Sequence, residues 1–233
     1  MSLKLIASNV YMIPLGFVNA FLLAGGGDEL TLIDTGTPGN SERILRAVAD
    51  LRRQPTDVRR ILITHCHADH TGSLADVKRL TGATVYMHPL DAALVRKGQA
   101  GRAMHLAPGF LDVPFQAVRG GAQPPQVAAA ETDVELQGGQ EVDGAPGLLA
   151  VHTPGHTAGH LVFLWQKGGG VLFVGDAALN MFGLGRMAIY EDQAQHRRSL
   201  AKIAALPFQA ACFSHGSPIT GSAAASFAKW ASG

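Results

Sequence analysis

The stretch Thr64-His65-Cys66-His67-Ala68-Asp69-His70 constrains this chain more than any other. Three imidazoles and a carboxylate crowd into one turn of chain, a density that neither a packed core nor a solvated face requires. Neutral imidazole nitrogens and carboxylate oxygens are preferred ligands of zinc and similar divalent ions. A chain that carries them together must fold so that this segment meets further ligands supplied from elsewhere.

The surroundings indicate how. Arg60–Thr64 is a short apolar run of strand length, and the cluster follows at its carboxyl end. Residues i and i+2 at a strand end project to one side, so His65 and His67 can meet one ion while Asp69 and His70 reach a second nearby. Three further candidates each follow a predicted strand. His156 stands in Thr153-Pro154-Gly155-His156-Thr157, where Pro and Gly make a tight turn. Asp176 ends the apolar run Val171–Gly175, where a carboxylate is costly unless paired or bound to metal. His215 stands in Cys212-Phe213-Ser214-His215-Gly216.

Strands are predicted at Leu3–Ser8, Ala20–Ala24 and Leu30–Ile33, with a Gly25–Asp28 hairpin turn between the last two. Ser41 is expected to cap a helix to about Arg53, with Ile44, Leu45, Val48 and Leu51 on its apolar face. Helix Ser73–Leu80, strand Thr84–Met87 and helix Asp91–Lys97 follow. Gly98–Ala130 is rich in Gly, Pro, Ala and Gln with little periodicity, and its length favours a substrate-covering insertion over a plain connection. Strands resume at Val134–Leu136, Gln140–Val142, Leu148–His152, His160–Trp165 and Val171–Val174. Helix Asp192–Leu206, strand Ala210–Ser214 and helix Ala223–Trp230 complete the series. Two comparable halves flank Gly98–Ala130 without a clean linker, so residues 1–233 are expected to form one domain with its site between the halves.

Composition narrows the function. Hydrophobic residues make up 47% of the 233, charged residues 16%, and the formal net charge is +1. No basic run offers a nucleic-acid footprint. No apolar stretch is long enough to span a membrane, and the first residues lack the apolar core of a signal peptide, so a cytoplasmic protein acting on a small molecule is expected. Two cysteines, Cys66 and Cys212, cannot build a disulfide framework.

The set His65-x-His67-x-Asp69-His70, His156, Asp176 and His215 resembles the metallo-β-lactamase-fold superfamily. Leu32-Ile33-Asp34-Thr35-Gly36, Thr153–His160 and Phe173-Val174-Gly175-Asp176 match it too, so the resemblance runs from about Val10 to His215. It implies an α/β protein, an αββα four-layer sandwich of two mixed sheets flanked by helices, with two metal ions at one edge. It further implies that His65, His67 and His156 hold the first ion and Asp69, His70 and His215 the second, with Asp176 bridging. Zinc is the expected metal, and manganese or iron suits the same ligands.

The Asp69-His70 pair is most similar to the glyoxalase II, lactonase and phosphodiesterase branches. The expected reaction is attack of a metal-bridging hydroxide on the carbonyl of a small ester, lactone or thioester, with Asp69 orienting the nucleophile or passing a proton. The alternatives are a mononuclear-iron persulfide dioxygenase using His65, His156 and Asp176, and a phosphodiesterase. Where similar lactonases carry a tyrosine three positions after the bridging aspartate, this chain has Leu179, and Tyr190 or Tyr86 would have to supply that donor.

Other residues read more plainly. Asp34 is expected to support the site or cap a turn, and His160 and His152 to be structural. His196, beside Arg197 and Arg198, is placed on a solvated helix face. His88 has no assignment, and His105 is a lesser candidate for the substrate pocket. Cys66 is expected to point away from the ligands as a packing thiol. Arg186 is divided between an anion-binding and a surface role. Phe17, Phe110 and Phe115 are candidates for either a pocket wall or core.

Overall fold

The computed structural model describes residues 3–106 and 125–231. Among the described residues, fifteen strands are arranged mainly in two sheets: β1 Lys4–Ala7, β2 Val10–Pro14, β3 Asn19–Gly26, β4 Glu29–Ile33, β5 Val58–Leu62, β6 Thr84–Met87, β7 His105–Leu106, β8 Val134–Glu135, β9 Leu148–His152, β10 Leu161–Trp165, β11 Val171–Gly175, β12 Leu179–Asn180, β13 Leu184–Gly185, β14 Ile189–Tyr190 and β15 Ala210–Phe213. The helices among these residues are α1 Ser41–Asp50, α2 Ala68–Thr71, α3 Leu74–Thr81, α4 Pro89–Val95, α5 Gln193–Ala204 and α6 Ala223–Ala231.

The first sheet runs β1-β2-β3-β4-β5-β6-β8, antiparallel as far as β4 and parallel beyond it. The second runs β15-β11-β10-β9, with β15 and β11 parallel and the other pairs antiparallel. Both are mixed sheets, as expected.

Side-chain alternation sorts the core into three apolar layers. Ala20 and Leu22 of β3 face α1, α3 and α4 together with Ile44, Val48, Leu74, Val77 and Val95. Phe21 and Leu23 face the other way, onto Leu161, Phe163 and Phe173 of the second sheet. Val162, Leu164, Leu172 and Val174 then meet Leu200, Ile203 and Phe227 of α5 and α6. Helices, sheet, sheet and helices make the four layers.

Three local expectations need correction. Strand β2 was not expected. Val10 and Met12 fill the inter-sheet layer while Ile13 faces the helices, so both faces are covered and the sequence loses the polar alternation that announces a strand. Gln140–Val142 forms no regular strand: it lies beside β9 through an isolated bridge from Glu141 to Leu149 and backbone bonds from Val142 N to Leu148 O at 2.8 Å and from Ala150 N to Gln140 O at 3.0 Å. Asn40, not Ser41, precedes the first turn of α1, and its side chain bonds Thr37 rather than capping the helix. The two sheets are also not simply the two halves of the chain, because β8 pairs in parallel with β6 and closes the first sheet from beyond Gly98–Ala130.

One end of the sandwich is stitched across the sheets. Leu161 N donates to Thr64 O at 2.8 Å, and Asn19 N to Ser214 O at 2.8 Å. The Asn19 side-chain amide also donates to Phe213 O and Gly216 O. These bonds tie the carboxyl end of β5 to the start of β10, and the start of β3 to the carboxyl end of β15, at the edge where the loops carrying the histidines emerge. Among the described residues no helix is long and apolar enough to cross a membrane.

Cys66 lies in the layer beneath α1, α3 and α4, and Cys212 between the sheets. Burial pushes both thiols well above their ordinary range, and the Asp91 carboxylate adds to the effect at Cys66. Neither thiol is therefore expected to react with a thiol-specific reagent at pH 8 until the protein is unfolded, when both should. Rapid labelling of the native protein would contradict this packing.

Candidate metal centre

All seven candidate ligands meet at that stitched edge. His65 and His67 follow β5, and Asp69 and His70 ride on the single turn of α2. His156 sits in the turn after β9, Asp176 directly after β11, and His215 two residues after β15. His65, His67, His156 and Asp176 form one group, and Asp69, His70 and His215 another, each with its ligand atoms within 4.8 Å of one another.

In the first group, His65 Nε2 and His156 Nε2 each lie 3.0 Å from His67 Nδ1. Metal–nitrogen bonds of 2.0–2.1 Å in a tetrahedron imply an edge of about 3.3 Å between ligand nitrogens, so the spacing suits one ion. Burial, then the neighbouring imidazoles, pushes His65 far below the usual histidine range and His156 to about 4. His67 is lowered by burial as well. All three are kept in the neutral form that ligates metal.

The second group is electrostatically different. Burial opposes charge on His70 and His215, yet the carboxylates around them prevail. Asp176, Asp69 and Asp34 raise His70 well above its ordinary value, and Asp176 and Asp69 raise His215 to about 10. Burial likewise disfavours ionised Asp176, but His70 and His215 hold it well below the carboxylate range. Buried Asp176 and half-buried Asp69 together demand positive charge here. Moreover, buried Asp176 Oδ1 and His70 Nε2 lack a hydrogen-bond partner. Such orphaned, converging atoms fit a bound divalent ion, since buried polar groups are otherwise paired.

Partners behind the ligands fix which nitrogen faces the centre. His156 Nδ1 donates to Ile189 O at 3.0 Å and His215 Nδ1 to Phe17 O at 2.9 Å, leaving each Nε2 free to ligate. Asp34 Oδ2 accepts from His70 Nδ1 at 2.8 Å and from Thr64 Oγ1 at 2.8 Å, while Oδ1 accepts from Thr64 N. His160 Nε2 accepts from the backbone N–H of Asp176 at 3.0 Å. Asp34 and His160 thus play the supporting parts expected of them. His152 packs against His88 with ring centroids 4.2 Å apart, and its Nε2 bonds Ala158 O.

A cavity of about 230 Å³ opens over the centre, lined by His67, Asp69, Arg102, Met104, Met187 and Ile189 among others. Ala100–Arg102, Met104 and Pro125 line it from the flanks of the expected insertion, whose residues 107–124, with Phe110 and Phe115, lie outside the described residues.

Several side candidates fall elsewhere. Tyr86 packs between the sheets and Tyr190 is buried against His196, so neither lines the cavity to replace the donor missing at Leu179. His105 is exposed on β7, away from the cavity lining. Arg186 lies over the Trp230 ring. Phe17 is exposed and stacks on His215.

His196 is a correction: it is buried, not solvated, and burial pushes it down to about 3. The inward spacing of His196, Ser199, Leu200 and Ile203 on α5 was the available signal. Sequence reasoning also missed Asp91, Arg102 and Glu191, which form an ion-pair network beside the first group. Nothing local marked them, because their partners are distant in sequence.

The four-layer fold with its edge cluster of histidines and aspartates defines a metallo-β-lactamase-type protein. The family model of the metallo-beta-lactamase superfamily matches residues 13–215, and the chain belongs to that superfamily. It is 33% identical to the uncharacterised protein YobT of Bacillus subtilis over 161 residues, 69% of this chain and 61% of that protein. It is 34% identical to a hydroxyacylglutathione hydrolase of Anaeromyxobacter dehalogenans over 157 residues, 67% of this chain and 44% of the relative. The crystal structure of the metallo-beta-lactamase MIM-1 from Novosphingobium pentaromativorans superposes with a TM-score of 0.75 at 19% identity, covering 99% of this chain and 87% of that one, a likeness of fold. The chain thus spans only about half to two-thirds of the length of such curated relatives.

Proposed function

We propose that this chain is a dinuclear metal-dependent hydrolase. In it His65, His67 and His156 hold one divalent ion, Asp69, His70 and His215 a second, and Asp176 bridges them. The observation that carries this reading is the division of the Asp176 carboxylate. Its Oδ1 lies 3.4 Å from both His70 Nε2 and His215 Nε2, and its Oδ2 lies 3.4 Å from His156 Nε2. One oxygen toward each ligand group suits two ions better than one.

When bound, two such ions supply a water-derived nucleophile near neutral pH and Lewis acidity toward a carbonyl oxygen. Zinc fits the donor set, as do manganese and iron. The chain's own residues supply the rest. Asp69 is partly exposed at the cavity, and although burial opposes its charge, His70 and His215 hold its carboxyl below the usual range. It is placed to orient a water or carry a proton to the leaving group. Met104, Met187 and Ile189 offer an apolar wall to the non-reacting part of a small substrate. Similarity to a hydroxyacylglutathione hydrolase supports an acyl carbonyl, that of an ester, lactone or thioester, as the group attacked. Ligands drawn from both sheets support a single functional unit.

Elemental analysis of protein expressed without added metal tests this first. The expected result is near two zinc or manganese per chain, with acyl hydrolysis lost on chelation and restored by added metal. One iron per chain with oxygen uptake on glutathione persulfide would overturn it in favour of the dioxygenase. A strong preference for phosphodiesters would overturn the substrate class.

A further inference from the structure

Asp91 is fully buried at the start of α4 and accepts hydrogen bonds from four directions. Its Oδ2 takes Cys66 N at 3.1 Å and Thr157 Oγ1 at 2.7 Å. Its Oδ1 takes Gly159 N at 3.1 Å and Arg102 Nη1 at 2.9 Å. Cys66 lies between ligands His65 and His67, and Thr157 follows ligand His156. Arg102 Nη1 also bonds Glu191 Oε1 at 3.1 Å, and Glu191 returns to the same turn: its Oε2 accepts from Ala158 N at 2.8 Å and its own N–H donates to His156 O at 3.1 Å. A Cβ at position 159 would lie 2.6 Å from Asp91 Cγ, so the glycine there lets the carboxylate approach this closely.

We infer that Asp91, braced by Arg102 and Glu191, is a positioning residue that clamps the His65–His67 loop to the His156 turn and so sets the three-histidine half of the centre. The inference rests on the dinuclear reading above. The other half has different supports, Asp34 behind His70 and Phe17 O behind His215.

Arg102 reaches the cavity wall, where a guanidinium would ordinarily read as an anchor for an anionic substrate. Its N–H groups instead go to Asp91, Glu191 and the carbonyl of Leu90. Its charge is thus spent on two protein carboxylates, which makes it part of the clamp.

Asp91→Asn isolates the effect. The amide has almost the same shape but only one accepting oxygen, and Asp91 is surrounded by donors on both sides. With the amide nitrogen toward Gly159 N and Arg102, two donors lose their acceptor. With it toward Thr157, whose hydroxyl can rotate, Cys66 N still loses one, and the His65–His67 loop is released.

The experiment measures zinc affinity by chelator competition in two backgrounds, His215→Ala, which leaves the three-histidine half, and His156→Ala, which leaves the other. Asp91→Asn is expected to weaken binding about 10- to 100-fold in the first background, the usual scale for losing a partner behind a ligand. In the second, affinity should stay within about twofold, an asymmetry that general destabilisation would not produce. Equal weakening in both backgrounds, or in neither, overturns the inference. Should Asp91→Asn fail to fold, Arg102→Gln decides by the same comparison, with a smaller loss confined to the first background. If the two backgrounds do not each reduce the wild-type stoichiometry from two to one, it is the dinuclear reading that fails instead.

Discussion

Asp176→Ala is expected to cost the centre at least one bound ion and to abolish turnover with it. The side chain faces His70 and His215 with one oxygen and His156 with the other, and is almost wholly buried. Its removal leaves the raised histidines His70 and His215 with Asp69, and with Asp34 behind His70, as nearby counter-charges. Two cations would then share a pocket that has lost its central negative charge, and mutual repulsion at short range in a poorly screened site opposes their joint occupancy. We expect metal content to fall from two ions per chain to one or none, and kcat/KM to drop by on the order of 10³-fold or more, the scale of losing a principal electrostatic group. The check is metal analysis beside the acyl-hydrolysis assay. Retention of two ions at full stoichiometry would sink the bridging role. Hydrolysis near the wild-type rate would sink the catalytic centre as drawn.

Gly155→Ala is expected to be strongly destabilising although it replaces no candidate ligand. Gly155 has φ +134°, a region L side chains rarely adopt. A Cβ there would lie 2.3 Å from His196 N and 2.4 Å from His196 Cα. Those atoms belong to the backbone of α5, which cannot yield as a flexible side chain would. The helix is seated on this turn by Asp192 N donating to Gly155 O at 2.9 Å and Ser199 Oγ donating to Pro154 O at 2.7 Å. Backbone strain of roughly 1–3 kcal/mol and overpacking of similar size put the expected loss at about 3 kcal/mol. For a protein of this length that lowers Tm by roughly 6–12 °C. Because His156 is the next residue, zinc affinity should fall as well. Calorimetry of the metal-free variant separates the two effects. An unchanged Tm would mean that α5 does not press on the turn as described.

The core alternation was legible where one face of a strand differs from the other in partner rather than in polarity. His160–Trp165 and Val171–Val174 read as strands because each holds an apolar run of strand length, and each proved to divide its apolar side chains between two layers. The same covering hid β2, whose Val-Tyr-Met-Ile-Pro shows neither alternation nor a sufficiently uniform apolar run. Gln140–Val142 differed in the opposite sense: it has strand-like residues and bonds to β9 around one bridge, but it is too short to extend into a ladder. Pairing partners, which local sequence does not specify, decided both cases.

His196 shows the same limit at the site. Its neighbours Arg197 and Arg198 suggested solvent, whereas the helical period placed it inward against Tyr190. The tyrosines proposed as donors were chosen by residue type alone, and burial removed both from the cavity.

The sequence by itself determined the inventory of candidate ligands. Imidazole and carboxylate are rare in buried positions without a purpose, so seven of them at strand ends announce metal chemistry whatever the surrounding fold. Tertiary structure alone decided how those seven are held. Asp176 faces two groups because β11 ends between them, Asp34 reaches His70 across 36 positions of chain, and Asp91 reaches Cys66 across 25 and Thr157 across 66. Hydrogen bonds of that kind depend on distance in space, which chain order does not encode, and they set the geometry on which any bound ion would depend.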